Sequence, residues 1–311
     1  MPVFNGAEHI EGQLLALAAQ QTEVSWELIL ADNGSADGTR GIVRRLSPEI
    51  NVPVRVVDAS ARRGPAAARN AGAAAAVGGL LLFTDQDDVV DELWVQEMVL
   101  ALRVHPFVGG RREFLELNGE EVASWRPNTA ASSLPLWGDR PYVIGCNFGC
   151  NAAEFAAVGG FDETFMSGGE DIDLSLRMHA RGMTAVFAER AVVHYRCRRD
   201  PRAVVRQLWR YGRSNGPLYG LHGMDPPTFL DVGLTCSRSF KQAIRTRVSR
   251  RRPVRQVANM AYAIGEAAAL WRDPAFWRPV YRSERPANPV LVQRARLRRL
   301  PSLIVRKAKR P

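Results

Sequence analysis

A chain of 311 residues, 46% apolar and 24% charged, is long enough to bury a full α/β core without disulfide or metal staples. Its net charge of +10 conceals a division: residues 1–190 hold 15 basic and 26 acidic side chains, the remainder 27 and 6. The half in which a ligand cleft should lie is therefore net acidic, which argues against a nucleic-acid-binding protein, while the basic end suits an anionic surface.

Cys146, Cys150, Cys197 and Cys236 show no Cys-x-x-Cys spacing and accompany no histidine array. That disfavours zinc or a disulfide framework and fits a reducing cytoplasm. No signal peptide is visible, and the longest apolar run, Ala71–Phe83, is too short and too rich in Gly and Ala to span a bilayer. The expected location is cytoplasmic.

Residues 1–6 read as the loop after a strand, yet no apolar strand precedes them. Ile10, Leu14, Leu17 and Ala18 predict a helix over 7–20. Residues 27–31 form a strand ending at Asp32, 39–46 a helix, and 54–57 the next strand. Pro65 opens an alanine-rich helix, a place that suits proline's fixed φ. Strand 80–84 follows, and this alternation predicts βαβ units with a largely parallel sheet. Residues 106–141 are irregular and rich in turn formers; 143–151 is a strand, 170–181 a helix, and 184–187 and 191–194 are short strands. Beyond residue 200 the pattern is helical, with helices over 203–213 and 254–271.

The most informative stretch is Leu80-Leu-Leu-Phe-Thr-Asp-Gln-Asp-Asp88. A buried strand that stops abruptly in Asp85, Asp87 and Asp88 delivers acids to the carboxyl edge of an α/β sheet, where ligands bind. Such carboxylates can share Mg2+ or Mn2+ through oxygen, and that cation can bind a diphosphate. Taken alone, the same residues also suit a solvated acidic turn. No Gly-x-Gly-x-x-Gly, Walker loop or His-Glu-x-x-His is present, nor the Arg- and Lys-rich N-terminal phosphate loop that a nucleotidyltransferase would need.

Six segments occur in order: Pro2-Val-Phe-Asn5, Asp32-Asn-Gly-Ser-Ala-Asp-Gly-Thr39, Gly64-Pro-Ala-Ala-Ala-Arg-Asn-Ala-Gly72, Asp85-Gln-Asp-Asp88, Gly159-Gly-Phe-Asp-Glu163 and Gly169-Glu-Asp-Ile-Asp-Leu174. Together they resemble the family-2 inverting glycosyltransferases of the GT-A fold, over residues 2–195. The resemblance implies a Rossmann-like, mostly parallel α/β sheet flanked by helices, a catalytic domain over 1–198, and a basic helical extension over 199–311. It implies a metal-dependent transferase in polysaccharide or cell-envelope glycan synthesis, which takes a nucleotide-diphospho-sugar donor and a saccharide or lipid-linked saccharide acceptor. On this likeness Asp32 contacts the nucleobase region, Arg69 lies beside the base, and Asp85 approaches the ribose or metal. Asp87 ligates Mg2+ or Mn2+, and His194 completes that site or is structural. Asp171 is the catalytic base and Glu170 positions the base or acceptor, although acids at a helix start also serve as caps.

Two departures stand out. The buried strand that the family places before Pro2 is missing, from which the natural product is expected to begin upstream. Asn151-Ala-Ala-Glu154 occupies a place where many relatives have arginines. Finally, residues 294–310 interleave arginines and lysines with Leu297, Leu300, Leu303, Ile304 and Val305. Such a segment can lie on an anionic membrane, which would place the protein peripherally at the inner face of the plasma membrane, or it is a solvated tail.

Overall fold

Where apolar spacing is strongest, the expected elements form. The structure is a computed structural model and describes residues 1–126, 132–248 and 252–272. The first half runs β1 (Pro2–Val3), α1 (Ile10–Ala18), β2 (Leu28–Asp32), α2 (Thr39–Leu46), β3 (Val54–Asp58), α3 (Pro65–Ala75), β4 (Leu80–Thr84), β5 (Val89–Val90) and α4 (Trp94–Leu102). The second continues with β6 (Phe107–Glu113), α5 (Gly119–Ala123), β7 (Leu136–Trp137), β8 (Arg140–Pro141), β9 (Asn147–Asn151), α6 (Ala152–Ala157), α7 (Glu170–His179) and β10 (Val186–His194). Three long helices follow: α8 (Pro201–His222), α9 (Phe229–Val248) and α10 (Val254–Arg272).

β1, β2 and β3 make a parallel sheet, and a second sheet has the order β4-β9-β6-β10-β5. In the second sheet only β6 and β10 run parallel; β9 is antiparallel to both β4 and β6. Antiparallel neighbours need no helical crossover, which is why residues 106–141, lacking helical periodicity, read as irregular while containing β6; β9 lies within the strand expected over 143–151. The two strands expected at 184–187 and 191–194 are one, β10, with a register shift between Ala188 and Val192. Apolar side chains fill both faces: Phe83, Phe107, Phe148, Phe155 and Phe161 on one, Leu14, Leu30, Trp94, Met98 and Val193 on the other.

The expected opening strand is represented by two residues. The Met1 ammonium donates to the Ile29 carbonyl (2.9 Å) and Ala31 N–H donates to the Met1 carbonyl (2.9 Å), so Pro2–Val3 lies along β2. Among the described residues β4 pairs only with β9. Between β2 and β4 the sheet is parted by a cavity of about 700 Å3, lined by Met1, Leu28, Ala73, Ala76, Leu80 and Leu82 among others.

The basic end is built onto the body. Val204 and Leu208 of α8 and Val254 and Ala258 of α10 bury Trp125, and Leu218 packs with Trp137, Phe165, Ile172 and Leu176. Instead of stopping at 213, α8 continues through Gly212, Gly216 and Pro217. A Cβ on Gly212 would fall 2.1 Å from the Tyr262 carbonyl oxygen, so this residue allows α8 and α10 to cross closely. α9 has no counterpart in the sequence reading. Its Gly233, Thr235, Ser237, Ser239 and Thr246 are weak helix formers, and its buried face is narrow.

Candidate active site

Packing beneath β4 fixes where its acids emerge. Phe83 stacks on Phe148 at 4.5 Å and meets Phe161 edge-on at 5.7 Å. Buried Gln13 donates to Thr84 Oγ1 (2.9 Å) and the Asp85 carbonyl (3.0 Å), and accepts from Val90 N–H (3.0 Å), which clamps the acidic turn at both ends. Nothing in the spacing of α1 distinguishes Gln13 from its apolar neighbours except its polarity on the inward face.

Arg69, on α3, is the hinge of the site. Its Nη2 donates to Asp85 Oδ1 at 2.8 Å and its Nη1 to Glu170 Oε1 at 2.9 Å, joining the end of β4 to the start of α7. Burial opposes its charge, and the Asp85 and Glu170 carboxylates more than offset that. A Cβ on Gly145 would lie 2.9 Å from Arg69 Nη2, so a side chain there would press on the bridging guanidinium.

α7 starts from Gly169 at φ 90°, a left-handed conformation, and carries Glu170 and Asp171 in its first turn. Asp171 accepts from the N–H groups of Gly145 (3.0 Å) and Ile172 (2.9 Å). Burial nevertheless raises its pKa above the ordinary value. Glu170 Oε2 is buried without a partner; burial, and then the charge of Asp171, push Glu170 up to about 7. Asp173, one turn further in, is taken up structurally by Arg177 (2.7 Å) and by His222 of α8 (3.0 Å).

Beyond β4 the like charges crowd. Ligand atoms of Asp85, Asp88 and Cys146 lie within 4.8 Å of one another. Asp88 accepts from Arg196 N–H at 2.8 Å, its Oδ2 is buried and unpartnered, and burial followed by the charges of Asp87 and Asp85 raises its pKa far above the usual. Asp87 is exposed on the cleft, where partial desolvation and Asp85 raise its pKa too. Carboxylates crowded together, with Arg69 paired to Asp85 and one Asp88 oxygen orphaned, fit a hard divalent cation. Burial holds the Cys146 thiol protonated, which suits zinc poorly.

Two of the expected residues lie elsewhere. The His194 ring is not brought into the Asp85–Asp88 cluster: its Nδ1 lies 3.2 Å from Glu113 and 3.0 Å from Glu116, in a separate group at the end of β6. The parallel register of β10 on β6 sets His194 beside Glu113. Asp32 is 4% exposed, and its carboxylate is engaged by Ser35 N–H (2.9 Å) and the Arg40 guanidinium; these hold its pKa below the usual value against burial. Its neighbour Asn33 lines the cleft instead, held by Gly64 N–H (2.9 Å) and by its own donation to the Arg62 carbonyl (2.8 Å).

Two cavities meet at Arg69 and Asp85. One, about 410 Å3, is lined by Phe4, Asn33, Arg63, Gly64, Gln86 and Asp87. The other, about 520 Å3, contains Glu170 and Asp171 and is walled by Arg112, Arg126, Tyr142 and Tyr211 among others. Its outer wall comes from α8–α10, through Asn215, Thr235 and Tyr262.

Comparison with known proteins identifies the family and the fold. Glycosyl transferase family 2 matches residues 1–156, and the N-terminal domain of galactosyltransferase matches residues 129–198. Glycosyltransferase AglE of Haloferax volcanii is 35% identical over 40% of this chain and 41% of its own length. Validoxylamine A glucosyltransferase of Streptomyces hygroscopicus subsp. jinggangensis is 30% identical over 59% and 51%. The chain thus spans about half or less of the length of these relatives. Succinoglycan biosynthesis protein ExoA of Rhizobium meliloti is 26% identical over 73% of this chain and 71% of its own. Among solved structures, mannosyltransferase PcManGT from Pyrobaculum calidifontis, in complex with GDP-Man and Mn2+, aligns with a TM-score of 0.61 at 20% identity, over 87% of this chain and 85% of that one. The fold is the mixed α/β arrangement of the GT-A glycosyltransferases with added C-terminal helices, and the chain belongs to glycosyl transferase family 2.

Proposed function

We propose that this protein transfers a sugar, with inversion, from a nucleoside-diphosphate donor to an acceptor hydroxyl. The observation that carries the reading is the shared Arg69–Asp85 wall: a smaller cavity bordered by Asp87 on one side, a larger one holding Asp171 on the other. The donor's nucleoside takes the smaller cavity, against Phe4, Asn33 and Arg63, and its sugar reaches the junction. Asp85, Asp87 and Asp88 would hold Mn2+ or Mg2+, and Asp32 supports this end through the loop that presents Asn33. A bound cation supplies positive charge for the departing diphosphate. His194 is left as a structural residue beside Glu113 and Glu116.

Asp171 accepts the proton of the acceptor hydroxyl as that oxygen bonds to the anomeric carbon. The carbon–oxygen bond to the β-phosphate breaks on the opposite face, and its electron pair leaves with the nucleoside diphosphate. The two backbone N–H groups fix the direction of the Asp171 carboxylate, while its raised pKa makes it a better base than an ordinary aspartate. Glu170, held by Arg69, positions this turn. The relatives support the reading: one is a glucosyltransferase, one is a succinoglycan biosynthesis protein, and the structural neighbour carries GDP-Man with Mn2+. Polysaccharide or cell-envelope glycan synthesis follows as the setting. Acceptor-free hydrolysis of a panel of UDP-, GDP- and TDP-sugars should appear with Mn2+ or Mg2+ and stop with chelator; no turnover and no binding of any donor would sink the proposal.

The acceptor is proposed to be presented at an anionic membrane. No helix among the described residues is long and apolar enough to cross one. The basic tail 294–310 lies outside the described residues, but α9 supplies an outward apolar face of Phe229, Leu230, Phe240, Ile244 and Val248. Exposed Arg238, Lys241 and Arg247 flank that face, the pattern of a helix lying in a lipid interface. Thr235 of the same helix lines the larger cavity, so a surface-bound acceptor would be delivered at its wall.

A further inference from the structure

The larger cavity has a cationic wall that proton transfer at Asp171 does not use. Arg112, near the end of β6, and Arg126, after α5, both lie against the ring of Tyr195, with their guanidinium carbons 5.8 and 5.2 Å from its centroid. Arg126 is 8% exposed; its Nη2 donates to Tyr195 Oη and to Gln207 Oε1, both at 2.9 Å, and its Nε is buried without a partner. Its third neighbour, the Cys197 thiol, is uncharged, because burial raises its pKa. Tyr195 is neutral as well, since burial pushes its hydroxyl far above its ordinary pKa. Arg112 rests on the Phe114 ring, 5.3 Å from its centroid. Among the described residues neither arginine forms an ion pair with a carboxylate, whereas Arg69, in the same cavity, is held by two.

A guanidinium withdrawn from water without a counter-charge is costly, unless a ligand brings the charge. Its planar fork matches the oxygens of phosphate and carboxylate, and stacking on aromatic rings holds the fork in place beforehand. Tyr142, Tyr211 and Tyr262, on the walls of the same cavity, offer faces for a sugar ring.

We propose that Arg112 and Arg126, braced by Tyr195, bind an anionic group on the acceptor, so that the acceptor is an acidic saccharide or a saccharide phosphate. This rests on reading the larger cavity as the acceptor side. The donor's diphosphate is a separate anion, held at Asp85–Asp88 only through a cation.

The full chain is titrated calorimetrically, in chelator, with methyl β-glucoside, methyl β-glucuronide and glucose 1-phosphate. Chelator removes cation-dependent phosphate binding at the acidic turn. At least one acidic sugar should bind about tenfold or more tightly than the neutral one, and which of the two wins separates carboxylate from phosphate. Arg112→Gln should abolish most of that preference. Arg126→Lys, which keeps the buried charge but not the fork, should reduce it severalfold, with circular dichroism confirming the fold. Equal binding of all three probes, or a preference that survives both substitutions, overturns the proposal. Donor hydrolysis with Mn2+ on the same wild-type preparation separates the two readings. An anion preference without any donor turnover would defeat the transferase and leave the cationic wall; turnover without the preference would defeat the wall alone.

Discussion

Glu170 and Asp171 open the same helical turn, yet their oxygens are engaged differently. Both oxygens of Asp171 accept from backbone, whereas Glu170 has one oxygen on Arg69 and one buried with nothing. Asp171→Asn should therefore lower kcat by about 10²–10⁴, the usual worth of a general base, while donor binding persists in a fluorescence titration. Turnover at the wild-type rate would exclude Asp171 as the base. The pH profile follows from the same pair. A base must be ionised, and burial raises the pKa of both acids, with Glu170 at about 7. Transfer should fall as pH drops through a limb above the ordinary carboxylate range, and this limb belongs to the coupled pair. An acid limb near pH 4 would show that the pair is not titrating in the active complex. Asp88 carries a shift in the same direction, at a cost to stability. Its folded pKa is raised, so its ionised form is penalised by folding at neutral pH. Asp88→Asn should raise Tm in chelator and weaken Mn2+ binding about tenfold or more, measured by calorimetry. That Asp85, Asp87, Arg69 and Asp171 border the two joined cavities was readable from their positions, because strand ends and helix starts project side chains into an α/β cleft; their roles are the proposal. The inward turn of Asp32 was not, since a motif states which residue follows a strand and not which neighbour captures its carboxylate.

Helices α8–α10 show where sequence periodicity stops informing. The helix at 254–271 announces itself through Val254, Ala258 and other apolar positions, but α9 puts its larger apolar groups outside and buries Ser239. A pattern that assumes apolar residues point inward passes over such a helix. On the membrane reading, Phe229→Ser with Phe240→Ser should reduce cosedimentation with phosphatidylglycerol-containing vesicles several-fold, and added salt should weaken wild-type binding further. Equal pelleting would end that reading, and concentration-dependent self-association without vesicles would assign the face to a second copy. Between α8 and α10, Tyr219 donates to Glu266 Oε1 at 2.9 Å, yet burial raises Glu266 to about 6. A carboxyl whose pKa is higher in the folded state contributes stability below its unfolded pKa and loses it as pH rises through the folded value. Glu266→Gln keeps an acceptor for Tyr219 and should gain up to about 2 kcal/mol at pH 8 relative to pH 4, read from denaturant midpoints. A pH-independent effect would contradict the shift.

At the scale of the whole molecule, the strand–helix alternation through β4 correctly gave an α/β body with its acids at one sheet edge. The antiparallel entry of β9 between β4 and β6 was hidden, because pairing partners are set by long-range packing and not by local pattern. The same body is joined to its C-terminal helices through buried Trp125 and Leu218, so one cavity is walled by both. Most cores reject larger side chains, since close packing leaves no room for another methylene. The parted sheet reverses that expectation locally. Ala76 borders about 700 Å3 of unfilled space, whereas Ala68, fully buried, packs against Ala31 and Ala59. Ala76→Leu should thus stabilise by about 0.5–2 kcal/mol, as cavity-filling changes do, while Ala68→Leu should destabilise by about 1–3 kcal/mol. Two alanines, Ala76 just past the end of α3 and Ala68 within it, become gauges of opposite sign: a chain that tolerates bulk at the first and refuses it at the second has room to spare between its strands and none around Ala31 and Ala59.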